Sequence, residues 1–143
     1  MLAGYYMTPS RAEVSQWTGP VSQKLDGTGT EADPYIVAAS ADLALVAKMS
    51  NEDKISAASF FIQSGDIDLQ NEEWVPIGSV SHPFNGTYDG RGYAIKNLKI
   101  TNGDSKQGLF GYIVNGTVKN LIVSGAVSGG DSVGGIAGYA KSD

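Results

Sequence analysis

Two short phrases occur twice in this chain. Ile95-Lys96-Asn97-Leu98-Lys99-Ile100 returns as Val118-Lys119-Asn120-Leu121-Ile122-Val123, 23 residues on. Gly108-Leu109-Phe110-Gly111-Tyr112-Ile113 returns as Gly135-Ile136-Ala137-Gly138-Tyr139-Ala140, 27 residues on. A period in the roughly 20–50-residue range restricts a chain to architectures in which one unit stacks on the next. Leu98 and Ile100 alternate as residues on one face of a strand do, and so do Leu121 and Val123. Ile95 and Val118, each three residues before the leucine, have the wrong parity for a flat strand. A corner at Lys96-Asn97 and at Lys119-Asn120 restores an inward direction to both, and corners belong to solenoids. The expected stacking sets Asn97 on Asn120 as an amide ladder, Leu98 on Leu121 and Ile100 on Val123. Gly111 and Gly138 are expected at inward positions too narrow for a Cβ.

The rest of the chain fits an all-β solenoid with one short capping helix near its N-terminal end. Tyr35-Ile36-Val37, Phe60-Phe61-Ile62 and Ile67-Asp68-Leu69 read as strands, and Pro76 confines Trp74–Gly78 to an edge or a bend. Ser40 suits an N-cap and Asp42 the first turn, and Leu43, Val46 and Ala47 follow at helical spacing, so a helix is expected over 41–49. Residues 1–25 have no clean period and break at Gly19-Pro20, so they read as a leader or linker before a β domain over 26–143. Met1–Met7 lacks the basic residues that open a complete signal peptide. The pattern stops at Asp143 in mid-repeat, which predicts a truncated solenoid whose last strand edges invite self-association.

Composition excludes several classes. Glycine supplies 19 of 143 residues, about twice the usual ~7%, without a collagen period. Cysteine is absent and His82 is the single histidine, which removes disulfides, thiolate metal sites and cysteine nucleophiles. The net charge of −5 comes without a basic stripe, so no nucleic-acid partner is expected. No apolar run reaches the ~18 residues of a membrane helix.

The segment from Trp74 to Tyr139 resembles the GLUG-motif proteins, whose glycine-leucine-any-glycine core stands here as Gly108-Leu109-Phe110-Gly111. Phe84-Asn85-Gly86-Thr87-Tyr88-Asp89-Gly90, followed by Ile95-Lys96-Asn97-Leu98, resembles the usual leader to that motif. The second copy departs from it, with Ile136 in place of leucine. The resemblance implies a right-handed parallel β-helix, a bacterial secreted or surface-attached protein, and no catalytic residue.

Side chains with candidate chemistry are few. Asp66 and Asp68 share one face and are a thin start for calcium or for a polysaccharide lyase; with Ile67 and Leu69 inward, both aspartates are expected in solvent. Asp89 and Arg91 read first as a turn. Asp26, Glu31 and Asp33 lack EF-hand spacing, and Gly27-x-Gly29 has no lysine-serine pair after it for a phosphate loop. His82, near Ser79 and Ser81, is not thereby a triad. No catalytic residue, metal or cofactor is assigned. Phe110, Tyr112 and Tyr139 are the binding candidates: with Leu109, Gly111 and Ile113 inward, Phe110 and Tyr112 face out and Tyr139 lies above Tyr112. Such a stripe stacks on sugar rings or anchors a cell-surface protein. The expected function is a non-enzymatic extracellular module for adhesion or scaffolding. Alternatives are a polysaccharide lyase or hydrolase on the same fold, a non-catalytic region of a large secreted peptidase, and a spacer with no ligand.

Overall fold

The computed structural model describes residues 17–101, 105–130 and 134–142. The elements are β1 (Tyr35–Val37), α1 (Ser40–Asn51), β2 (Phe60–Gln63), β3 (Ile67–Asp68), β4 (Thr87–Asp89), β5 (Ala94–Ile100), β6 (Phe110–Val114), β7 (Thr117–Lys119), β8 (Ile122–Val127) and β9 (Ala137–Lys141). The strands form three parallel sheets, ordered β1-β2-β4-β7, β3-β5-β8 and β6-β9. Single bridges, Ile77 to Phe110 and Phe84 to Ile113, extend the third sheet. From β2 onward the chain visits the first, second and third sheets in that order, three times. Parallel neighbours need a long connection between them, and here passage through the other two sheets supplies it. Phe61 pairs with Tyr88, and Tyr88 with Val118.

Each circuit contributes a layer of apolar side chains to the space between the sheets. Phe61, Phe84, Tyr88 and Phe110 are fully buried. Their rings meet in sequence, Phe61 with Phe84 at 6.1 Å, Phe84 with Phe110 at 5.0 Å and Tyr88 with Phe110 at 5.8 Å. After β1 the chain makes α1 and returns to the first sheet, so the helix stands where strands of the other two sheets would otherwise come. Its Leu43 and Val46 are fully buried in the same core. Ala39, and not Ser40, occupies the N-cap, and its side chain makes no capping bond. Asp42 ties the helix start down instead, accepting from Ala38 N–H at 2.9 Å and from the Ser22 hydroxyl at 2.6 Å. Within 17–25, Trp17 packs edge-on against Trp74 with ring centroids 5.3 Å apart, and Leu25 is buried. Residues 1–16 lie outside the described residues.

The 27-residue match corresponds to a true register, because Tyr112 pairs with Tyr139 in neighbouring strands of the third sheet. The 23-residue match does not. Asn97 does not stack on Asn120, nor Leu98 on Leu121. Ile95 pairs with Val123, Leu98 with Gly125 and Ile100 with Val127, while Val118 pairs with Tyr88 on another sheet. The repeated phrase is a local bend used at two different corners. In both copies the asparagine holds a positive φ, 59° at Asn97 and 55° at Asn120, a region that asparagine tolerates better than most residues. In β5 the bend is a bulge between Ile95 and Leu98, and it carries both side chains inward despite their spacing.

Each asparagine is anchored to an aspartate one circuit earlier. Asn97 Nδ2 donates to Asp68 Oδ1 at 2.8 Å, and that oxygen also accepts Gln70 N–H at 2.7 Å. Asn120 Nδ2 donates to Asp89 Oδ1 at 3.0 Å, which also accepts Arg91 N–H at 2.9 Å. The hydrogen bonds from Asn97 and then from Gln70 hold the Asp68 pKa below the ordinary carboxylate value. Burial works against the charge of Asp89, yet the bonds from Asn120 and Arg91 N–H, with Lys119 and the Arg91 guanidinium nearby, bring its pKa down as well. Asp66 is lowered by the Ala94 N–H and by Lys96, which lie 2.9 and 3.3 Å away.

One polar cluster sits inside the core. Gln63, 1% exposed, donates to Gly65 O and Ala94 O at 2.9 and 3.1 Å. Its carbonyl accepts the Tyr88 hydroxyl at 2.9 Å, and burial pushes that phenol's pKa upward.

Two outcomes follow from these contacts. Tyr88→Phe strands the Gln63 carbonyl without a donor and should cost roughly 1–3 kcal/mol in urea unfolding; a change near zero would show that the cluster is not closed. The lowered aspartates contribute stability that is fully present above their unfolded pKa of about 4 and is lost as pH falls through their depressed folded values. Melting temperature should therefore drop as pH falls below about 4. Asp89→Ala should cost roughly 1 kcal/mol at neutral pH and flatten the acid limb, and an unchanged limb would refute the anchoring role.

Candidate binding face

The third sheet carries the aromatic residues expected to bind. Paired in register on neighbouring strands, Tyr112 and Tyr139 stack with centroids 4.6 Å apart and planes at 22°, close to the ~4.8 Å spacing of adjacent strands. Both are partly exposed, and Lys106 Nζ lies 5.7 Å from the centre of the Tyr139 ring, within reach of a cation–π attraction. Phe110 does not join them. Leu109 and Phe110 are consecutive and both fully buried, so the chain enters β6 before a simple alternation sets in. Phe110 fills the space between Phe84 and Tyr88, which removes it from the outward stripe.

Gly111 and Gly138 occupy matching places on β6 and β9, and both allow close approach of backbone. A Cβ at Gly111 would stand 2.6 Å from Gly78 O, and one at Gly138 would stand 2.3 Å from the carbonyl carbon of Lys106. Neither distance is tolerable against main chain, so any larger residue would push strand and loop apart. The crowding comes from the 105–107 loop and from Gly78, whose own φ is +87°. The requirement for glycine is met, and its origin is the loops that pass over the sheet.

Beside Tyr112 runs an open groove of about 460 Å³. Pro76, Gly78, Val80, Lys106 and Gln107 line it, with Asn51 from α1. Val80 is 69% exposed, at the tip of a turn in which Ser79 N–H donates to His82 O at 3.0 Å. Among the described residues of the groove lining, Lys106 is the single charged one. Asn51, Val80 and Gln107 were invisible as site residues in the sequence. They lie far apart along the chain and share no motif; only the paired tyrosines signalled this face.

The acidic candidates are committed elsewhere. Asp66 and Asp68 lie at the surface but bond to β5, and Asp89 and Arg91 close a turn with their side chains 3.6 Å apart. Asp33 accepts Thr28 N–H at 3.1 Å, and Asp26 pairs through its backbone with Ile36. Among the described residues no three carboxylates or histidines gather where they would hold a metal ion. No helix among them is long and apolar enough to cross a membrane.

No family model matches the chain, and no solved structure matches it. Two curated proteins are similar to it. Halomucin of Haloquadratum walsbyi is 30% identical over 129 residues, covering 78% of this chain and 1% of its own length. A putative Gly-rich membrane protein of Evansella cellulosilytica is 35% identical over 107 residues, covering 69% of this chain and 12% of its own length. The chain thus spans a small part of the two long proteins it matches.

Proposed function

We propose that this chain is a non-enzymatic adhesion or scaffolding module of a secreted or surface protein, built as a right-handed parallel β-helix of GLUG-type repeats. The observation that carries the reading is the strand register: three parallel sheets, visited in one fixed order from β2 onward, with strand partners 26 to 30 residues apart. Right-handed crossover is the near-universal choice for parallel strands. The Gly108–Tyr112 and Gly135–Tyr139 copies support the GLUG assignment. The names of both relatives, a halomucin and a membrane protein, support a place at or beyond the cell surface. The aspartates that a lyase would need are engaged in holding neighbouring strands together, which supports a structural role for them.

The last circuit supports association with a like surface. β7, β8 and β9 each lie at the edge of their sheet. Val123 is only partly buried where its partner Ile95 is 0% exposed, and Ile122 and Ile136 are 58% and 40% exposed. Unpaired strand edges beside apolar side chains form a template for further strands. We propose that a chain ending at this circuit pairs through this face with a second copy of itself.

Two measurements test this. Incubation with plant and bacterial polysaccharides should release no new reducing or unsaturated ends; turnover abolished by Asp66→Ala or Asp68→Ala would make the chain an enzyme. Sedimentation across a concentration series should show oligomers that Ile136→Lys suppresses. A strictly monomeric chain at high concentration would end the association reading.

A further inference from the structure

We infer that Asn115 is an acceptor for N-linked glycosylation, its co-substrate an oligosaccharide carried on a polyisoprenyl pyrophosphate. The inference rests on the reading of the chain as a secreted or surface module, since such acceptors belong to surface loops of secreted chains. The sequence holds two Asn-x-Ser/Thr triplets, and both are Asn-Gly-Thr: Asn85-Gly86-Thr87 and Asn115-Gly116-Thr117. They occupy the same corner of consecutive circuits, where the chain passes from the third sheet to the first, because Thr87 pairs with Thr117 at the head of β4 and β7. One circuit earlier Phe60 holds the threonine's place. The first sheet is entered there through Ala58-Ser59-Phe60, so entry to that sheet does not itself demand the triplet.

The two triplets differ in access. Asn115 and Thr117 are exposed among the described residues, and Asn115 stands at a bend with a φ of 60°, its backbone N–H donating to Lys141 O at 2.9 Å. The positive φ explains asparagine at 115. A Cβ at Gly116 would lie 2.8 Å from Phe84 O, which explains glycine. Neither requirement extends to an exposed hydroxyl at 117. Asn85 lies between buried Phe84 and buried Gly86, is itself half-buried, and has its Oδ1 sealed from solvent without a partner. An amide nitrogen is a weak nucleophile because its lone pair is delocalised into the carbonyl. A transferase must therefore grip the amide and the threonine hydroxyl together, which requires both to be open to it. At Asn115 both are. In the transfer, Asn115 Nδ2 bonds to the anomeric carbon of the first sugar while that carbon's bond to the pyrophosphate oxygen breaks. The lipid pyrophosphate leaves with the bonding electrons, and one amide proton passes to solvent.

The test is incubation of the folded, unmodified chain with an oligosaccharyltransferase of Asn-x-Ser/Thr specificity and its lipid-linked oligosaccharide, read by intact mass and peptide mapping. One glycan should be added, at Asn115. Asn85 becomes accessible only when its corner opens, so its modification should be slower by at least about tenfold. Peptides spanning 82–90 and 112–120, which carry the same triplets without the fold, should both accept the glycan. Thr117→Val keeps a β-branched strand residue but removes the hydroxyl, and should abolish addition at Asn115; Thr117→Ser should retain it. A folded chain that takes no glycan, modification of Asn85 as fast as Asn115, or addition that survives Thr117→Val overturns the assignment. Each of these outcomes sinks this inference alone, because the polysaccharide incubation and the sedimentation series judge the module reading separately.

Discussion

The interior between the three sheets has room for one layer of side chains per circuit, and the rest of the molecule follows from that limit. A parallel strand cannot find its neighbour through a tight turn, so from β2 onward each partner arrives only after the chain has passed through the other two sheets. Register then depends on what fits against the layer below. Aromatic rings set the spacing in the first and third sheets, where Phe61, Phe84 and Phe110 follow one another. In the second sheet aliphatic pairs do so, with Ile67 against Ile95 and Ile95 against Val123. Hydrophobic burial supplies the attraction but not the direction. Direction comes from polar clasps at the corners, where an aspartate oxygen holds both its own turn and the asparagine of the next circuit.

That division of labour explains what the sequence revealed and what it concealed. Strands with strong β-formers, such as Tyr35–Val37 and Phe60–Gln63, were legible because apolar runs bounded by turn residues have few alternatives. The glycine-tyrosine copies were legible because glycine is required where main chain meets main chain, and that requirement returns once per circuit. The Lys-Asn-Leu copies misled because a corner is a local solution. The same phrase serves wherever the chain must bend with a positive φ, whichever sheet follows, so its spacing measures the distance between two different corners. Phe110 was misassigned for a related reason. Alternation presumes a flat strand from its first residue, whereas the chain enters β6 with Leu109 and Phe110 both in the core. The helix was legible in its apolar face but not in its cap, since Asp42 takes over the anchoring from Ser40 through contacts with residues 22 and 38 that no local rule foresees.

The groove shows why surface features of such a scaffold resist detection from sequence. Repeated positions lie inside and fix the architecture, so a period search finds them first. Recognition requires a surface that differs from circuit to circuit, and that surface arises where the repeat is interrupted. Ile77 and Phe84 each bridge to β6, but the residues between them leave the sheet and fold into the Ser79–His82 turn. That excursion leaves Val80 69% exposed, and the groove beside it is lined by Val80 together with the 105–107 loop. Gly78 and Gly111 approach main chain too closely for a Cβ, and α1 adds Asn51 to the lining. Each contributor departs from the period: a turn, a loop, a helix terminus. In a stacked architecture the regular residues specify where every strand lies, and the irregular ones are left free to specify what the surface meets.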